Sequence, residues 1–246
     1  MCRHGLGNRH RGRPFLRCSG CPQTGGAGDG WLGREALWGK QYQPPRGNRQ
    51  AEPQNPQGLG ASRLRSGAMF TGLVQAVGIV TKLERMGRGP DAPVRLSIDP
   101  GSWDHNPGPG DSISVSGVCL TVAKRPSAKA RVWEFVAIPE TLAKTTLGGL
   151  PVGSRVNLEH ALTPSTLMGG HLVQGHVDGV GEVVSIRRGE DWRVRVRVPA
   201  GLREFVMPKG SVCLDGVSLT VAKVYEDGLE VALIPTTLEM TTLGAL

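Results

Sequence analysis

Hydroxyl and thiol side chains recur with the same spacing in two segments of the 246-residue sequence. Cys119 and Thr121 lie two residues apart in GVCLTV, and Ser218 and Thr220 lie two residues apart in GVSLTV. Because alternate residues of a β-strand point to the same side, each pair is predicted to form a small polar patch on one strand face. Such groups can pass protons or position water. The alternative interpretation is a buried core strand whose hydroxyl groups are satisfied by hydrogen bonds.

Two histidines in the segment GGHLVQGH raise the question of a metal site. His171 and His176 are five residues apart, so they point to opposite faces of a straight strand, which argues against a shared ion. His176 and Asp178 share a face, but catalytic zinc normally has three protein ligands. Cys18 and Cys21 form a CxxC pair without a second ligand pair at a standard spacing. The sequence therefore predicts no metal site.

Motifs of the common nucleotide-dependent and serine-dependent enzymes are missing. There is no GxGxxG after a strand, no P-loop and no GxSxG. Taken alone, Lys209 in MPKG is interpreted as an ordinary exposed turn lysine, as most lysines are.

The net charge of +8 is confined to the N-terminal part of the chain. Residues 1–68 contain 11 Lys and Arg against 3 Asp and Glu, whereas residues 69–246 contain 18 of each sign. The basic character therefore gives no indication that the remaining chain binds nucleic acid. The five cysteines are odd in number and irregular in spacing, and no apolar run resembles a signal peptide or a membrane span. These features favour a cytoplasmic protein without disulfides.

Three sequence blocks occur twice, in the same order, about a hundred residues apart. GLVQAVGIV at Gly72–Val80 resembles GHVDGVGEV at Gly175–Val183, and the two LTV segments come next. IPETLAKTTLG and IPTTLEMTTLG are identical at 8 of 11 positions. This spacing is the length of a domain, so the sequence predicts a duplicated domain.

Each half is typical of short β-strands separated by Gly, Pro and Asp. In Arg193–Val198, RVRVRV, the valines are predicted to face a core and the arginines water. Ile113 and Val115 likewise alternate with serines. About six strands in about 90 residues must close into a small barrel or sandwich to protect their edges. TLAKTTLG and TLEMTTLG are the predicted short helices, with Thr141 and Thr237 as candidate caps.

The two halves differ beyond their TTLG segments. The first half continues into LPVGSRVNLEHAL, which contains an alternating strand, whereas the printed second half stops at Gly244–Leu246. The repeat therefore predicts that the second barrel lacks its last strand and leaves an open edge.

Residues 1–68 show no helical or strand periodicity and are predicted to be disordered. Three interpretations compete: upstream sequence translated before a true start at Met69, a transit peptide, or a disordered RNA-binding arm. The abrupt change of composition near Met69 favours the first. We therefore expect an extension over residues 1–68, an N-terminal barrel over 69–165 and a truncated C-terminal barrel over 166–246.

Taken together, the motifs resemble the riboflavin synthase family of the α-subunit type. The chain shares MFTG at Met69–Gly72, GVCLTV, GGHLVQGHVDG, DGVSLTV and the two TTLG segments, in the family's order. The resemblance covers residues 69–246 and implies two tandem six-stranded Greek-key barrels. It also implies dismutation of two 6,7-dimethyl-8-ribityllumazine molecules by transfer of a four-carbon unit, which gives riboflavin and 5-amino-6-ribitylaminouracil. The resemblance implies that no metal or redox cofactor takes part. The implied assembly is a homotrimer with active sites between subunits, with a further association with lumazine synthase.

The resemblance also implies the site residues. For the first half they are Phe70, Gly72, Leu73, Val74, Cys119, Leu120, Thr121, Val136, Ala137, Ile138, Pro139, Glu140 and Thr141. For the second half they are Gly175, His176, Val177, Lys209, Ser218, Leu219, Thr220, Leu233, Ile234, Pro235, Thr236, Thr237 and Leu238. His176, Ser218, Thr220 and Lys209 are the candidates for proton handling and orientation, with Cys119 and Thr121 serving the partner pocket.

The sequence departs from the family pattern in two places. Thr236 stands where the family pattern has Glu, the counterpart of Glu140. The usual ending, a strand with an Asp near the ligand and a trimerising helix, is missing from the printed sequence. Two other functions compete with this one: a non-catalytic lumazine- or flavin-binding protein on the same barrels, and a nucleic-acid-binding protein that uses the basic arm.

Overall fold

The computed structural model describes residues 14–17, 68–89, 92–124 and 131–246. Residues 14–17 form a strand, β1 (Pro14–Arg17), which the sequence analysis did not predict. The predicted disorder of the extension and the three interpretations of it otherwise lie outside the described residues.

The first half forms a closed six-stranded barrel. Its strands are β2 (Ala76–Arg85), β3 (Val94–Asp99), β4 (Ser112–Val115), β5 (Val118–Lys124), β6 (Trp133–Ala137) and β7 (Arg155–His160). They succeed one another around the barrel in the order β2-β3-β6-β5-β4-β7. Helix α1 (Pro139–Lys144) and a 3-10 helix (Leu147–Gly149) connect β6 to β7. Trp133, Phe135 and Leu158 are fully buried inside this barrel.

The second half repeats this arrangement with five strands of its own. They are β8 (Val180–Arg187), β9 (Trp192–Arg197), β10 (Ser211–Leu214), β11 (Val217–Tyr225) and β12 (Gly228–Leu233). Helix α2 (Pro235–Met240) and the 3-10 helices Ala200–Phe205 and Thr242–Ala245 complete it. The strands lie in the order β8-β9-β12-β11-β10, with β1 added beside β8. The predicted all-β duplicated fold is confirmed. The second half contributes five strands, as expected from the prediction that its last strand is missing.

Alternation of residue type positions the core side chains. In β9, Val194 and Val196 are buried and Arg197 is exposed, as predicted, whereas Arg193 and Arg195 are half-buried. Arg197 also pairs with Glu182 at 2.6 Å. In β4 the expected alternation is incomplete, because Ser114 is buried together with Ile113. Ser116, which follows β4, is buried as well, whereas Ser112 is half-buried.

Both β4–β5 and β10–β11 are hairpins with two-residue turns that lie against each other. Ser116 and Gly117 have φ of 46° and 81°, and Asp215 and Gly216 have φ of 51° and 81°. Two successive positive φ values are the signature of a type I′ turn, which suits the twist of a hairpin. A Cβ on Gly117 would lie 2.8 Å from the backbone nitrogen of Gly216. Glycine is therefore needed here for both the turn and the contact between halves.

The two predicted helices form, but their predicted caps are wrong. Ile138 and Ile234 occupy the N-cap positions without side-chain hydrogen bonds, and each is followed by a proline at the start of the helix. Thr141 and Thr237 lie inside the helices. Proline has the backbone angle of a first helical residue and no N–H to satisfy, so it begins these helices without a polar cap. Among the described residues, no helix combines the length and apolar character that a membrane-spanning helix requires.

Candidate functional site

The predicted polar pairs lie on the outer faces of their barrels. In β5, Val118, Leu120 and Val122 point into the core, whereas Cys119 is half-buried and Thr121 is exposed. In β11 the pattern repeats, with Ser218 half-buried and Thr220 exposed. Each pair therefore shares one face, as its spacing predicts, and that face is not the core face.

The start of the first half packs on the polar strand of the second half. The Ser218 backbone N–H donates to the Gly72 carbonyl at 2.8 Å. Gly72 has φ of 72°, and a Cβ placed on it would lie 2.6 Å from the Ser218 Cβ. Val74, two residues later, packs against the core of the second half.

The start of the second half makes the same contact with the first half. The Cys119 backbone N–H donates to the Gly175 carbonyl at 3.0 Å. Gly175 has φ of 75°, and a Cβ there would lie 2.8 Å from the Cys119 Cβ. Val177 packs against the core of the first half. Each polar strand together with the glycine segment packed on it is called a half-site. Because each segment packs on the strand of the opposite half, the two half-sites are built by exchange of equivalent segments.

This exchange corrects the grouping made from sequence. The sequence analysis combined Gly72–Val74 with Cys119–Thr121, and Gly175–Val177 with Ser218–Thr220, whereas the structure pairs each segment with the opposite strand. The cause is an antiparallel bridge between Phe70 and Val173, which lie at corresponding places in the two halves. Antiparallel pairing at this point carries each segment past the other and onto the neighbouring barrel.

Several of the predicted binding residues have side chains directed into the cores. Phe70, Leu120, Ala137, Leu219 and Leu233 are all at most 7% exposed. Their contact with a ligand would therefore come from backbone atoms. The neighbouring Ile138 and Ile234 are 53% and 62% exposed, respectively, and face outward.

The remaining predicted residues lie around these positions. Leu73 is 45% exposed and Val136 is half-buried. The predicted site residues within α1 and α2 range from half-buried to exposed. They are Pro139, Glu140, Thr141, Pro235, Thr236, Thr237 and Leu238.

Glu159 holds the segment that carries Gly72, and the sequence analysis did not select it. Its carboxylate accepts hydrogen bonds from the Thr71 backbone N–H at 2.6 Å, the Thr71 hydroxyl at 2.7 Å and the Gly72 backbone N–H at 2.9 Å. Burial raises the pKa of Glu159, and these three donors oppose the rise. An acidic residue in an otherwise buried strand was the signal available in the sequence.

A second buried polar network joins the two halves at their centre. The Asn157 amide donates to the Asp215 carbonyl oxygen and the Thr242 hydroxyl, both at 2.8 Å. Its oxygen accepts from the Thr242 backbone N–H at 2.8 Å. The Thr242 hydroxyl also donates to the Asp215 carboxylate at 2.7 Å. These contacts fix the hairpin before β11, and so the position of Ser218, relative to the first barrel.

His171 joins the half-site on β11. Its Nδ1 forms a hydrogen bond with the Ser218 hydroxyl, and its backbone N–H donates to the Thr71 carbonyl at 3.0 Å. The sequence analysis considered His171 only as a metal ligand. The spacing within GGHLVQGH did not reveal this contact, because it depends on the exchange of segments. An imidazole bonded to a hydroxyl can carry a proton to or from it.

His176 and Lys209 are both exposed. His176 belongs to the segment beside β5 rather than β11, and its charge, like that of Lys144 in α1, acts on Asp178. The pKa of Asp178 is raised, first because neighbouring groups shield its carboxylate from water, and these two cations oppose the rise. Lys209 has φ of 64° and its backbone N–H donates to the Val221 carbonyl at 2.9 Å. The structure therefore separates His176 from Ser218.

A cavity of about 600 Å³ lies beside the half-site on β5. Its lining includes His105, Asp111, Ser112, His160, Thr163 and Thr166. Ser112 is the register partner of Thr121 and also influences the pKa of the Cys119 thiol. Burial raises the pKa of Cys119, and the Ser112 contact lowers it in part. The cavity therefore adjoins the polar patch that the sequence predicts.

The imidazoles in this cavity belong to an aromatic cluster at one end of the barrel. His105 stacks on Trp103 with ring centres 4.9 Å apart and on His160 with centres 5.0 Å apart. Burial lowers the pKa of His105, the charge of His160 lowers it further, and Asp111 opposes the shift. In the part of the chain that the structure describes, no group of three or more His, Cys, Asp or Glu side chains is placed to hold a metal ion.

The chain is similar to known proteins in sequence and in structure. The model of the lumazine binding domain matches residues 71–161 and 174–246. Riboflavin synthase from Mycobacterium tuberculosis is 46% identical over 184 residues, which cover 72% of this chain and 87% of that protein. Riboflavin synthase from Brucella abortus is 40% identical over 179 residues, with coverage of 72% and 87%. Riboflavin synthase from Photobacterium leiognathi is 38% identical over 178 residues, with coverage of 71% and 78%.

Solved structures of LumP are also similar to this chain. The crystal structure of LumP with 6,7-dimethyl-8-(1'-D-ribityl) lumazine has a TM-score of 0.59 at 27% identity. The structure of LumP with riboflavin has a TM-score of 0.60 at 30% identity. Both alignments cover 72% of this chain and 93% of LumP.

Proposed function

The chain belongs to the riboflavin synthase family, and we propose that it converts two molecules of 6,7-dimethyl-8-ribityllumazine into riboflavin and 5-amino-6-ribitylaminouracil. One molecule donates a four-carbon unit and the other accepts it. The chain is thus a transferase of the riboflavin synthase type that acts on a small-molecule substrate. We infer that the reaction requires no metal and no redox cofactor.

The observation that carries this proposal is the pair of equivalent half-sites. In one half-site Gly175 packs on Cys119, and in the other Gly72 packs on Ser218. Both half-sites combine a glycine carbonyl, a small polar side chain and an exposed threonine in the same arrangement. Two identical substrate molecules require two similar pockets, which a duplicated domain provides. Holding both rings in a reactive orientation can lower the barrier by up to about 7–11 kcal/mol.

The proposed roles depend on where each side chain lies. Ser218 and His171 form a hydroxyl–imidazole pair that can remove a proton from the acidic methyl group of the donor or position a nucleophilic water. Thr220 and Lys209 belong to the same half, where they orient the substrate. His176 and Cys119 serve the other half-site, beside Thr121. The predicted residues with core-facing side chains contribute backbone atoms.

A homotrimer with its sites between subunits is part of the proposal. Leu73, Ile138 and Ile234 are exposed apolar side chains at the half-sites of the single chain. A substrate and a neighbouring subunit would remove this apolar surface from water. We also propose the division at residues 69–165 and 166–246, a cytoplasmic location and an association with lumazine synthase. Nucleic acid is not a proposed partner.

The test is turnover of the full chain with 6,7-dimethyl-8-ribityllumazine, monitored by the appearance of riboflavin. Replacement of Ser218 by Ala is expected to lower kcat by roughly 100-fold or more, since proton transfer typically contributes that factor. Ser185→Ala, an exposed serine of β8, is the matched control and should leave kcat unchanged. Equal rates for both variants at an unchanged unfolding temperature would remove Ser218 from the mechanism.

A second candidate function is binding of lumazine or flavin without catalysis. The similarity to LumP, solved with riboflavin and with a ribityl lumazine, supports this candidate. A titration of the chain with 6,7-dimethyl-8-ribityllumazine, monitored by its fluorescence, separates the two functions. Tight binding without formation of riboflavin would favour the binding protein, and absence of both would reject both functions.

A further inference from the structure

The imidazole–hydroxyl pair of the half-site on β11 is connected to the first barrel by a chain of hydrogen bonds. The His171 imidazole binds the Ser218 hydroxyl, and the His171 backbone N–H donates to the Thr71 carbonyl at 3.0 Å. The Thr71 backbone N–H and hydroxyl donate to Glu159 of β7 at 2.6 and 2.7 Å. A carboxylate of the first half is therefore linked to the Ser218 side chain of the second half.

A second connection from the same carboxylate reaches the Ser218 backbone. The Gly72 N–H donates to the other oxygen of Glu159 at 2.9 Å, and the Gly72 carbonyl accepts from the Ser218 N–H at 2.8 Å. Glu159 therefore supports Ser218 in two ways, through its side chain and through its backbone.

The segment before His171 lies too close to Thr71 to move independently of it. A Cβ on Gly170 would overlap the Thr71 carbonyl oxygen, and a Cβ on Gly169 would lie 3.1 Å from the Leu73 side chain. Thr71 itself is buried. Because close-packed groups transmit a displacement to their neighbours, a shift of Thr71 is passed on to His171.

The aligned segment of the other half-site has different residues at these places. The repeat puts Gln174 at the position of Thr71 and Ala68 at that of His171. Gln174 is exposed and has no hydroxyl group, and Ala68 has no imidazole. The hydroxyl and the imidazole of this connection therefore have no counterpart at the aligned positions of the half-site on β5.

We propose that Glu159 is a positioning residue of the half-site on β11, where it fixes the Thr71–Gly72 turn and thereby the His171–Ser218 pair. Each carboxylate oxygen can accept more than one hydrogen bond, so a single Glu side chain can hold all three donors of the turn. Its effect on turnover rests on the proposed function, in which misplacement of a reacting group by about 1 Å can lower the rate by about 100-fold.

The first test replaces the carboxylate by an amide. In Glu159→Gln one oxygen becomes an NH2 group, which cannot accept a hydrogen bond, so a donor of the Thr71–Gly72 turn loses its acceptor. Amide hydrogen exchange of the full chain is resolved by residue with NMR. The amides of Ser218 and His171 are expected to exchange roughly tenfold faster than in the parent chain.

Two controls separate this local effect from a general loss of stability. The Cys119 amide makes the equivalent bond in the other half-site, to the Gly175 carbonyl, and should keep its parent rate. Glu134→Gln changes a half-buried carboxylate of β6 and should leave the amides of Ser218 and Cys119 at their parent rates. Equal acceleration at Ser218 and Cys119 in Glu159→Gln, or parent rates at both, would overturn the proposal.

A second pair of variants applies the same test without a change of charge. Thr71→Val removes the hydroxyl that donates to Glu159 and accepts from the Leu73 N–H, whereas Thr71→Ser keeps it. Exchange at Ser218 should be faster in the valine variant and return to the parent rate in the serine variant. Equal rates in these two variants would contradict the positioning role.

Turnover provides a test that a merely structural residue would fail. Glu159→Gln alone should lower kcat roughly tenfold or more. In a chain that already carries Ser218→Ala it should lower kcat no further, because the two residues act through the same group. Effects on kcat that multiply in the double variant would overturn the proposal. Absence of turnover in the parent chain would reject the proposed function instead, and amide exchange would still decide the role of Glu159.

Discussion

Gly175→Ala tests whether the half-site on β5 requires close contact between the two halves. At Gly175 the backbone has φ of 75°, and a Cβ would lie 2.8 Å from both the Cβ and the backbone nitrogen of Cys119. Real Cβ atoms essentially never approach so closely, so either the Gly175 segment or β5 must move. Such a movement would also strain the 3.0 Å hydrogen bond from the Cys119 N–H to the Gly175 carbonyl.

The expected cost has two parts that a control can separate. A left-handed backbone costs a residue with a Cβ about 1–2 kcal/mol relative to glycine. Insertion of a carbon into a closely packed site costs about 1–3 kcal/mol more. Gly175→Ala should therefore lower the free energy of unfolding by about 2–5 kcal/mol. Gly101→Ala should cost only about 1–2 kcal/mol, because φ at Gly101 is 66° and nothing lies within 4 Å of its added Cβ.

Urea unfolding of the parent chain and both variants measures these costs. Binding of 6,7-dimethyl-8-ribityllumazine, measured by fluorescence at a temperature where all three are folded, is the second readout. Binding should weaken in Gly175→Ala and remain at the parent value in Gly101→Ala. Equal losses of unfolding free energy together with equal binding in the two alanine variants would refute the role assigned to this close contact.

Three further predictions concern buried polar groups. Asn157→Leu should lower the free energy of unfolding by about 2–6 kcal/mol, because Asp215 and Thr242 lose buried hydrogen-bond partners at about 1–3 kcal/mol each. A loss below about 1 kcal/mol in urea unfolding would contradict this value. Burial raises the pKa of Glu159, so the folded state holds the proton of this carboxyl more tightly than the unfolded state does. The free energy of unfolding of the parent chain should therefore fall relative to that of Glu159→Gln as pH rises above the usual pKa of 4.5. A difference between the two free energies that is constant with pH would contradict this. Burial also raises the pKa of Cys119, so its alkylation by iodoacetamide, located by mass spectrometry, should be slow at neutral pH and accelerate only under alkaline conditions; rapid labelling at neutral pH would contradict this.

Several features of the fold could be predicted because they depend on local pattern. The repeated blocks indicated a duplicated domain, and the valines of RVRVRV are buried as their alternation predicts. The spacing of Cys119 and Thr121 placed both on one strand face. The N-caps of the two helices were predicted wrongly. Thr141 and Thr237 lie inside the helices, because each helix begins with a proline.

The candidate site could be predicted only in part, because its contacts cross between halves. The motifs located the polar strands and the glycine segments, but not which segment meets which strand. Glu159 and His171 were missed as site residues, because their partners Thr71 and Ser218 are 88 and 47 residues away in sequence. Strand β1 was missed because four residues of PFLR carry no periodicity, and their partner β8 lies far along the chain.

By itself, the sequence determined that the chain is a duplicated β protein with hydroxyl and thiol groups on equivalent strands. Residue type and spacing are sufficient for this, since the two faces of a strand alternate along the chain. Only the tertiary structure decided that the Phe70–Val173 bridge exchanges the two glycine segments, that His171 contacts Ser218 and that β1 lies beside β8. These outcomes depend on long-range packing between surfaces, and no local pattern specifies which of two similar surfaces a segment will cover.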